Sequence, residues 1–263
     1  MRADKFFAEK FGSRTKAAEA IEKGLVLLNG KMLRPKDEVS GEEAFTFVVA
    51  EENFVSNGGY KLSRALKSFS FDCSELTFAD IGASTGGFSD CLLQNGVKKI
   101  YAIDVGESLL HDSLRNNPKI VRMENVNARY LEKEDFSEDI QGVTIDVSFI
   151  SLKLIIPAIK RILSQNGNAF LLIKPQFECE KKNIGKSGIV HPSAHPKIVK
   201  NIVEFCIETG LYPFGIVNAP VRKGKNIEYV LHVKPTAERS ISITNIEEKV
   251  KEFIKKNSLG ELA

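Results

Sequence analysis

Four charged side chains stand at places in this chain where charge is costly. Lys174 closes the apolar run Leu171-Leu-Ile and is followed at once by Pro175. Asp146 follows the apolar stretch Val143-Thr-Ile. Lys61 lies on a helical pattern over 60–69, and Glu228 opens the strand-like run Ile227–Lys234. A single lysine at the end of a buried strand is commonly a snorkelling or salt-bridged structural residue. Two lysines converging on one site behave differently: ammonium groups repel and burial disfavours charge, which readies one amine of such a pair to take a proton. Two carboxylates beside them hold the pair in place and keep the other amine cationic. This set suits proton removal from a hydroxyl whose pKa lies far above neutrality.

A second group of residues reads as a small-molecule cradle. Phe78-Ala-Asp-Ile is an apolar run ending near Asp80; the chain then turns through Gly82-Ala-Ser-Thr-Gly-Gly87 and enters a helical pattern at Phe88. A strand, a Gly-rich turn and a helix N-terminus bind nucleotide-like ligands at the carboxyl end of a parallel strand. The spacing is not G-x-G-x-x-G, and Gly-Lys-Ser/Thr is absent, so a Walker loop is ruled out and a dinucleotide reading is weakened though still open. S-adenosylmethionine fits better. Asp80 is placed to meet its ammonium, directly or through water, and Asp104, at the end of Tyr101-Ala-Ile, can bind both ribose hydroxyls. Read alone, Asp104 would be an N-cap or turn residue. The expected cofactor contacts are Asp80, Gly82, Ala83, Ser84, Thr85, Gly86, Gly87, Phe88, Asp104, Val105, Asn127 and Asp146.

Methyl transfer from a sulfonium is an in-line displacement that demands orientation and a free lone pair on the acceptor. Exocyclic amines are commonly methylated by enzymes with an Asp/Asn-Pro-Pro-aromatic loop, and Thr144-Ile-Asp-Val-Ser-Phe149 has no Pro-Pro. Pyrimidine C5 chemistry needs a cysteine nucleophile in this loop region, and none is there. A ribose hydroxyl needs a base, which returns the argument to Lys61, Asp146, Lys174 and Glu228. Phe149 and Phe177 flank the expected pocket as base-stacking or core residues.

These residues must be positioned by a sheet. Strands are expected at Leu76–Asp80, Lys99–Asp104, Val143–Val147 and Ala169–Ile173. Helices are expected at Phe88–Leu93, Glu107–Leu114, Leu152–Leu163 and His195–Glu208, with Pro157 a difficulty unless it sits in a first turn. The alternation predicts an α/β fold, a mostly parallel Rossmann-like sheet. Tyr212–Val217 and Ile227–Lys234, joined without room for a helix, add an antiparallel strand, as in class I methyltransferases. Upstream, two short helices (Ala3–Phe11, and Arg14–Lys23 stopped by Gly24), the run Leu25–Gly30 ending in an Asn-Gly turn and a strand at Ala44–Val49 make a small α+β unit. The expected domains are 1–50, a linker over 51–59, 60–235, and a helical C-terminal extension over 236–263.

Composition agrees with a globular protein: 263 residues, 43% hydrophobic and 27% charged. The net charge is only +3, yet residues 1–36 carry nine Lys/Arg against four acids. That local excess points to a polyanion, RNA, as partner. The expected RNA contacts are Arg2, Arg14, Lys16, Lys23, Lys31, Arg34, Arg64, Lys181, Lys182, Arg222 and Lys223, a solvated face being the plainer reading. Four dispersed cysteines fit a reducing cytoplasm, and no run is long enough to span a membrane. His191 and His195 are four apart, but Pro192 and Pro196 interrupt the helix and no cysteine is near, so no metal is expected. The sequence does not give the oligomeric state.

Two resemblances sharpen this reading. Arg2, Asp4, the helix from Ser13 to Gly24 and Val26-Leu-Leu-Asn-Gly30 resemble the S4 RNA-binding domain. Lys61, Asp146, Lys174 and Glu228 match, in order and context, the tetrad of FtsJ-like ribose 2′-O-methyltransferases. The strings Val55-Ser-Asn-Gly-Gly-Tyr-Lys-Leu62, Asp80 to Phe88, Asn127-Ala-Arg-Tyr-Leu131, Ile145 to Leu152, Lys174-Pro-Gln-Phe-Glu178 and Gly185-Lys-Ser-Gly-Ile-Val190 resemble the TlyA family over residues 1 to about 235. The resemblance implies transfer of a methyl group from S-adenosylmethionine to the 2′-hydroxyl of cytidine in ribosomal RNA or ribosomal subunits. Some relatives of that family are called haemolysins, but nothing here reads as a membrane-active segment. A non-catalytic RNA-binding protein is the alternative, and a complete tetrad argues against it. Asn57 stands where the family usually has Arg, and the tail beyond Pro235 is longer than the family's.

Overall fold

A computed structural model describes residues 1–22, 26–41, 43–47, 53–185, 187–221 and 224–258. Two compact units divide at Asn53 and Phe54.

The first unit has helices α1 (Ala3–Phe6) and α2 (Arg14–Glu22) and strands β1 (Val26–Leu28), β2 (Lys31–Met32) and β3 (Phe45–Phe47). The strands form an antiparallel sheet in the order β2-β1-β3. Asn29 and Gly30 both take positive φ, as a two-residue hairpin turn requires, and Leu28 pairs with Lys31. A small core of Ala3, Phe7, Ala17, Ile21, Val26, Leu33 and Val39 holds the unit together. Helix α1 is shorter than the expected Ala3–Phe11. The expected stop at Gly24 lies outside the described residues.

The second unit opens with α3 (Asn57–Ser68), whose first turn occupies part of the stretch expected as linker. Ser56 caps it by accepting from the Gly58 amide. Then follow β4 (Thr77–Ile81), α4 (Gly87–Gln94), β5 (Lys99–Ile103), α5 (Asp112–Arg115), β6 (Ile120–Met123), β7 (Ile140–Ile145), α6 (Ile156–Ile162), β8 (Leu163–Ile173), α7 (Pro175–Glu178), α8 (His195–Glu208), β9 (Tyr212–Asn218), β10 (Tyr229–Lys234) and α9 (Ile243–Ser258). Among the described residues the sheet has seven strands in the order β6-β5-β4-β7-β8-β10-β9. β10 runs antiparallel to both its neighbours, and the other pairs are parallel. Alternate residues of the central strands feed two cores. Ala79, Leu171 and Ile173 face one side, while Phe78, Phe170 and Leu172 face the other.

Three local expectations needed correction. The helix expected over Glu107–Leu114 is reduced to Asp112–Arg115, because Ser108 adopts φ 55° and the helix is capped only at His111. Strand β6 lies where no strand is expected: Ile120-Val-Arg-Met123 exposes the two residues at its centre, one on each face, as an edge strand can. Pro157 is accommodated because the expected helix is split, with a 3-10 turn at Leu152–Leu154 and α6 starting so that the proline falls in its first turn.

The residues after Pro235 are no appendage. α9 places Ile246 and Val250, both fully buried, in the larger core alongside Val199, Val203 and Leu231. Replacing Ile246 with Ala therefore removes core volume and should destabilise the protein by about 2–5 kcal/mol. Urea unfolding followed by circular dichroism measures this. A change within about 0.5 kcal/mol, as for a surface tail, would contradict the packing.

Candidate active site

The cradle is built where β4 ends. Gly82, Ser84 and Gly86 all take left-handed backbone angles, which compress the chain into a tight turn before α4. At Gly82 a Cβ would lie 2.6 Å from the Asp146 carbonyl oxygen, so only glycine lets the turn approach the end of β7 so closely. At Gly87 a Cβ would meet Ser56 Oγ at 2.1 Å, which brings the start of α3, and with it Lys61, against the start of α4. Asp104 fastens the other side. Its Oδ2 accepts from the Ser84 amide at 2.8 Å and its Oδ1 from the Gly106 amide at 2.9 Å. Each carboxylate oxygen has a second acceptor site to offer a ligand.

Two adjoining cavities open from this turn. One, about 410 Å³, is lined by Gly82, Ser84, Asp104, Val105, Asn127 and Asp146, with apolar walls from Leu109, Val126 and Ile150. The other, about 230 Å³, is lined by the turn itself, with Ala83, Thr85, Gly87 and Phe88, and by Ser56, Ser148 and Lys174. Gly82, Ser84, Asp146 and Ser148 line both. Gly86 lines neither and serves the turn through its φ of 91°.

Asp80 lies beneath the turn and lines neither cavity. It is fully buried, accepting from Ser89 Oγ at 2.6 Å and from Thr144 Oγ1 at 2.9 Å. It braces β4, β7 and α4 from below the turn. Burial, offset in part by these two hydrogen bonds, pushes its carboxyl up to about 6.

The four charged residues do meet. Lys174 Nζ lies 2.5 Å from Asp146 Oδ1, Lys61 Nζ lies 3.8 Å from Asp146 Oδ2, and Lys61 Nζ lies 2.7 Å from Glu228 Oε2. Charges of alternating sign thus run from the smaller cavity to a third of about 520 Å³, which Lys61 and Glu228 line together with Asn57, Gln176 and Asn226. All four side chains are between 10% and 21% exposed. Ser148, which sequence reasoning passed over, accepts from Lys174 Nζ at 2.8 Å. Its only signal was its place two residues after Asp146. Phe149 is 91% exposed with φ 64°, so it is not a core residue, and its ring lies 5.1 Å from that of Phe177.

The basic residues divide. Arg2 and Arg14 both bind Asp4, at 2.7 and 3.2 Å, and Arg2 foremost holds that carboxyl below its usual range. Lys31, Arg34, Lys181 and Lys182 are exposed, Lys182 pairing with Glu180, while Arg64 is half-buried on α3. The side chain of Lys16 and residues Lys23, Arg222 and Lys223 lie outside the described residues. His195 is buried against Tyr229, and among the described residues no cluster of three His, Cys, Asp or Glu side chains could hold a metal. Nor is any described helix long and apolar enough to cross a membrane.

The sheet order and the cradle at its carboxyl edge define the class I methyltransferase fold. A solved S-adenosylmethionine-dependent methyltransferase from Listeria monocytogenes shares that fold, with TM-score 0.51 at 13% identity over 67% of this chain and 96% of the other. A model of the FtsJ-like methyltransferases matches residues 54–234, and an S4-domain model matches residues 1–44. The 16S/23S rRNA (cytidine-2′-O)-methyltransferase TlyA of Mycobacterium tuberculosis is 36% identical over 90% of each chain. Hemolysin A of Brachyspira hyodysenteriae is 39% identical over 84% of this chain and 93% of the other. The solved structure of a Streptococcus thermophilus protein described as a hemolysin is 36% identical, covers 98% of both chains and superposes with TM-score 0.71. The chain belongs to the TlyA family of S4-domain-bearing, FtsJ-like methyltransferases.

Asp80 gives a test of the buried brace. Its folded value of about 6 exceeds the 3.8 of a free side chain, so between these pH values the folded protein keeps a proton that the unfolded chain has lost. Stability conferred by this group is therefore greatest at low pH and falls as pH rises through that window, by about 3 kcal/mol in all. Asp80→Asn cannot ionise. Relative to the wild type it should gain about that amount between pH 4 and 7 in urea unfolding. A difference independent of pH would contradict the assignment.

Proposed function

We propose that the protein transfers a methyl group from S-adenosylmethionine to the 2′-hydroxyl of cytidine in ribosomal RNA. The observation that carries this is the line of alternating charges from Lys174 to Glu228, which joins the cradle to the third cavity. The residues present fit the donor. Asp104 keeps acceptor sites for two ribose hydroxyls, Leu109, Val126 and Ile150 offer apolar walls to a base, and the Gly-rich turn lines the second cavity. When bound, that cofactor supplies an electrophilic methyl group on a sulfonium.

The remaining work falls to the chain. Lys174 Nζ, as the neutral amine, takes the proton of the 2′-hydroxyl as its oxygen becomes nucleophilic, and the ammonium so formed is balanced by Asp146. Asp146 and Ser148 fix the direction of that amine. Lys61, held by Glu228 on the side of the third cavity, supplies a positive charge for the oxygen and for the neighbouring phosphate. Phe149 offers an exposed ring to the base of the target nucleotide. The S4 domain, with Lys31 and Arg34 exposed, supplies contacts to folded RNA, where shape and phosphate dominate recognition.

Lys174→Ala tests the base. Transfer of labelled methyl groups to ribosomal RNA should fall by about 10²–10⁴-fold, while calorimetry finds cofactor affinity nearly unchanged. Full transfer by the variant would overturn the role of Lys174.

A further inference from the structure

Lys174 and Asp146 sit at the near ends of two short segments that lie side by side. The first runs from Asp146 through Ser148, Phe149 and Ile150 to the 3-10 turn at Leu152. The second runs from Lys174 through α7 to Glu178. At the near end the segments are joined by Lys174 to Asp146 and to Ser148. At the far end they are joined by one residue. Glu178 Oε2 accepts from Ser151 Oγ at 2.6 Å, and Glu178 Oε1 accepts from the Leu152 amide at 2.7 Å. Ser151 Oγ in turn accepts from the Lys153 amide at 3.2 Å, capping the 3-10 turn.

Between the two joins stands Phe149, in a left-handed conformation that a bulky residue holds only when its surroundings impose it, at a cost of about 1–3 kcal/mol. Its ring is almost wholly exposed and touches Phe177, one residue before Glu178. Packing on a core cannot be what imposes the conformation. The two ends of the loop are the restraints that remain, and the distal one is held by Glu178 together with Leu152, whose side chain is buried in the core. Partial burial raises the Glu178 carboxyl above its usual range, a cost the fold offsets with the Leu152 and Ser151 hydrogen bonds. A carboxylate that only covered the surface would lie in water.

From this we infer that Glu178 is a positioning residue for catalysis: by tying Ser151 and Leu152 to the segment that begins at Lys174, it fixes the amine against Asp146 and holds Phe149 outward toward the acceptor. The role rests on the proposed methyl transfer, but the structural part of it can be tested alone. Gln at this position retains an acceptor for the Leu152 amide and a donor for Ser151 Oγ, whereas Ala retains neither.

The experiment compares the wild type with Glu178→Ala, Glu178→Gln and Ser151→Ala. Hydrogen exchange should quicken over 146–152 in Glu178→Ala, with the central strands as protected as in the wild type, and return to the wild-type pattern in Glu178→Gln. In methyl transfer to ribosomal RNA, Glu178→Ala should lower kcat by about 10–100-fold, more than it alters cofactor affinity. Glu178→Gln should recover most of the loss. If Glu178→Ala does not fold, Ser151→Ala carries the test, with faster exchange at 149–152 and a several-fold lower kcat. Wild-type exchange and kcat in the folded alanine variants would overturn the inference, as would a glutamine variant no better than alanine. A wild-type protein without transfer activity would instead overturn the proposed function, and exchange alone would then decide the positioning role.

Discussion

Two lysine amines and two carboxylates share a largely buried site, and the rest of the architecture follows from keeping them in register. Charges withdrawn from water are tolerated when each has an opposite partner at close range. Here the order is Lys174, Asp146, Lys61, Glu228, with Asp146 between the two lysines. The four residues come from segments distant in sequence: the end of β8, the end of β7, helix α3 and the start of β10. Only a sheet in which β7, β8 and β10 are consecutive neighbours can bring three of them to one edge. The fourth depends on glycine. Without the bare backbone at Gly87, Ser56 and the start of α3 could not lie so close to α4.

The same contacts join the chemistry to the cradle. Asp146 lines both cavities that open from the Gly-rich turn and also holds both lysines. Its carbonyl meets the bare Cα face of Gly82, so the turn and the charged line share one residue's position. Beneath them Asp80 ties together β4, β7 and α4 from the interior. Displacing any of these parts moves the turn and the charged line together.

Much of this was legible from residue types. The parallel sheet follows from apolar runs alternating with helical patterns, and the meeting of Lys61, Asp146, Lys174 and Glu228 follows from their positions at strand and helix ends. What remained hidden depends on tertiary context. Asp80 has the type and place of a ligand contact, yet its burial and its bonds to Ser89 and Thr144 cannot be seen in a linear string. Strand β6 leaves Val121 and Arg122 exposed on its two faces at the sheet edge, which erases the apolar pattern that marks inner strands. Helix α9 presents only two fully buried residues, so its charged sequence looks like a solvated tail until α8 is seen beside it. Arg2 and Arg14 read as free cations because their shared partner, Asp4, is identified by packing alone.

The central claim is that this charged line serves ribose methylation. The most direct measurement incubates ribosomal RNA, taken from cells lacking the protein, with purified protein and S-adenosylmethionine, and then maps modified nucleotides by mass spectrometry. The account predicts new 2′-O-methylcytidine at discrete sites. Methylation on a base, or none above the level seen without protein, would contradict it.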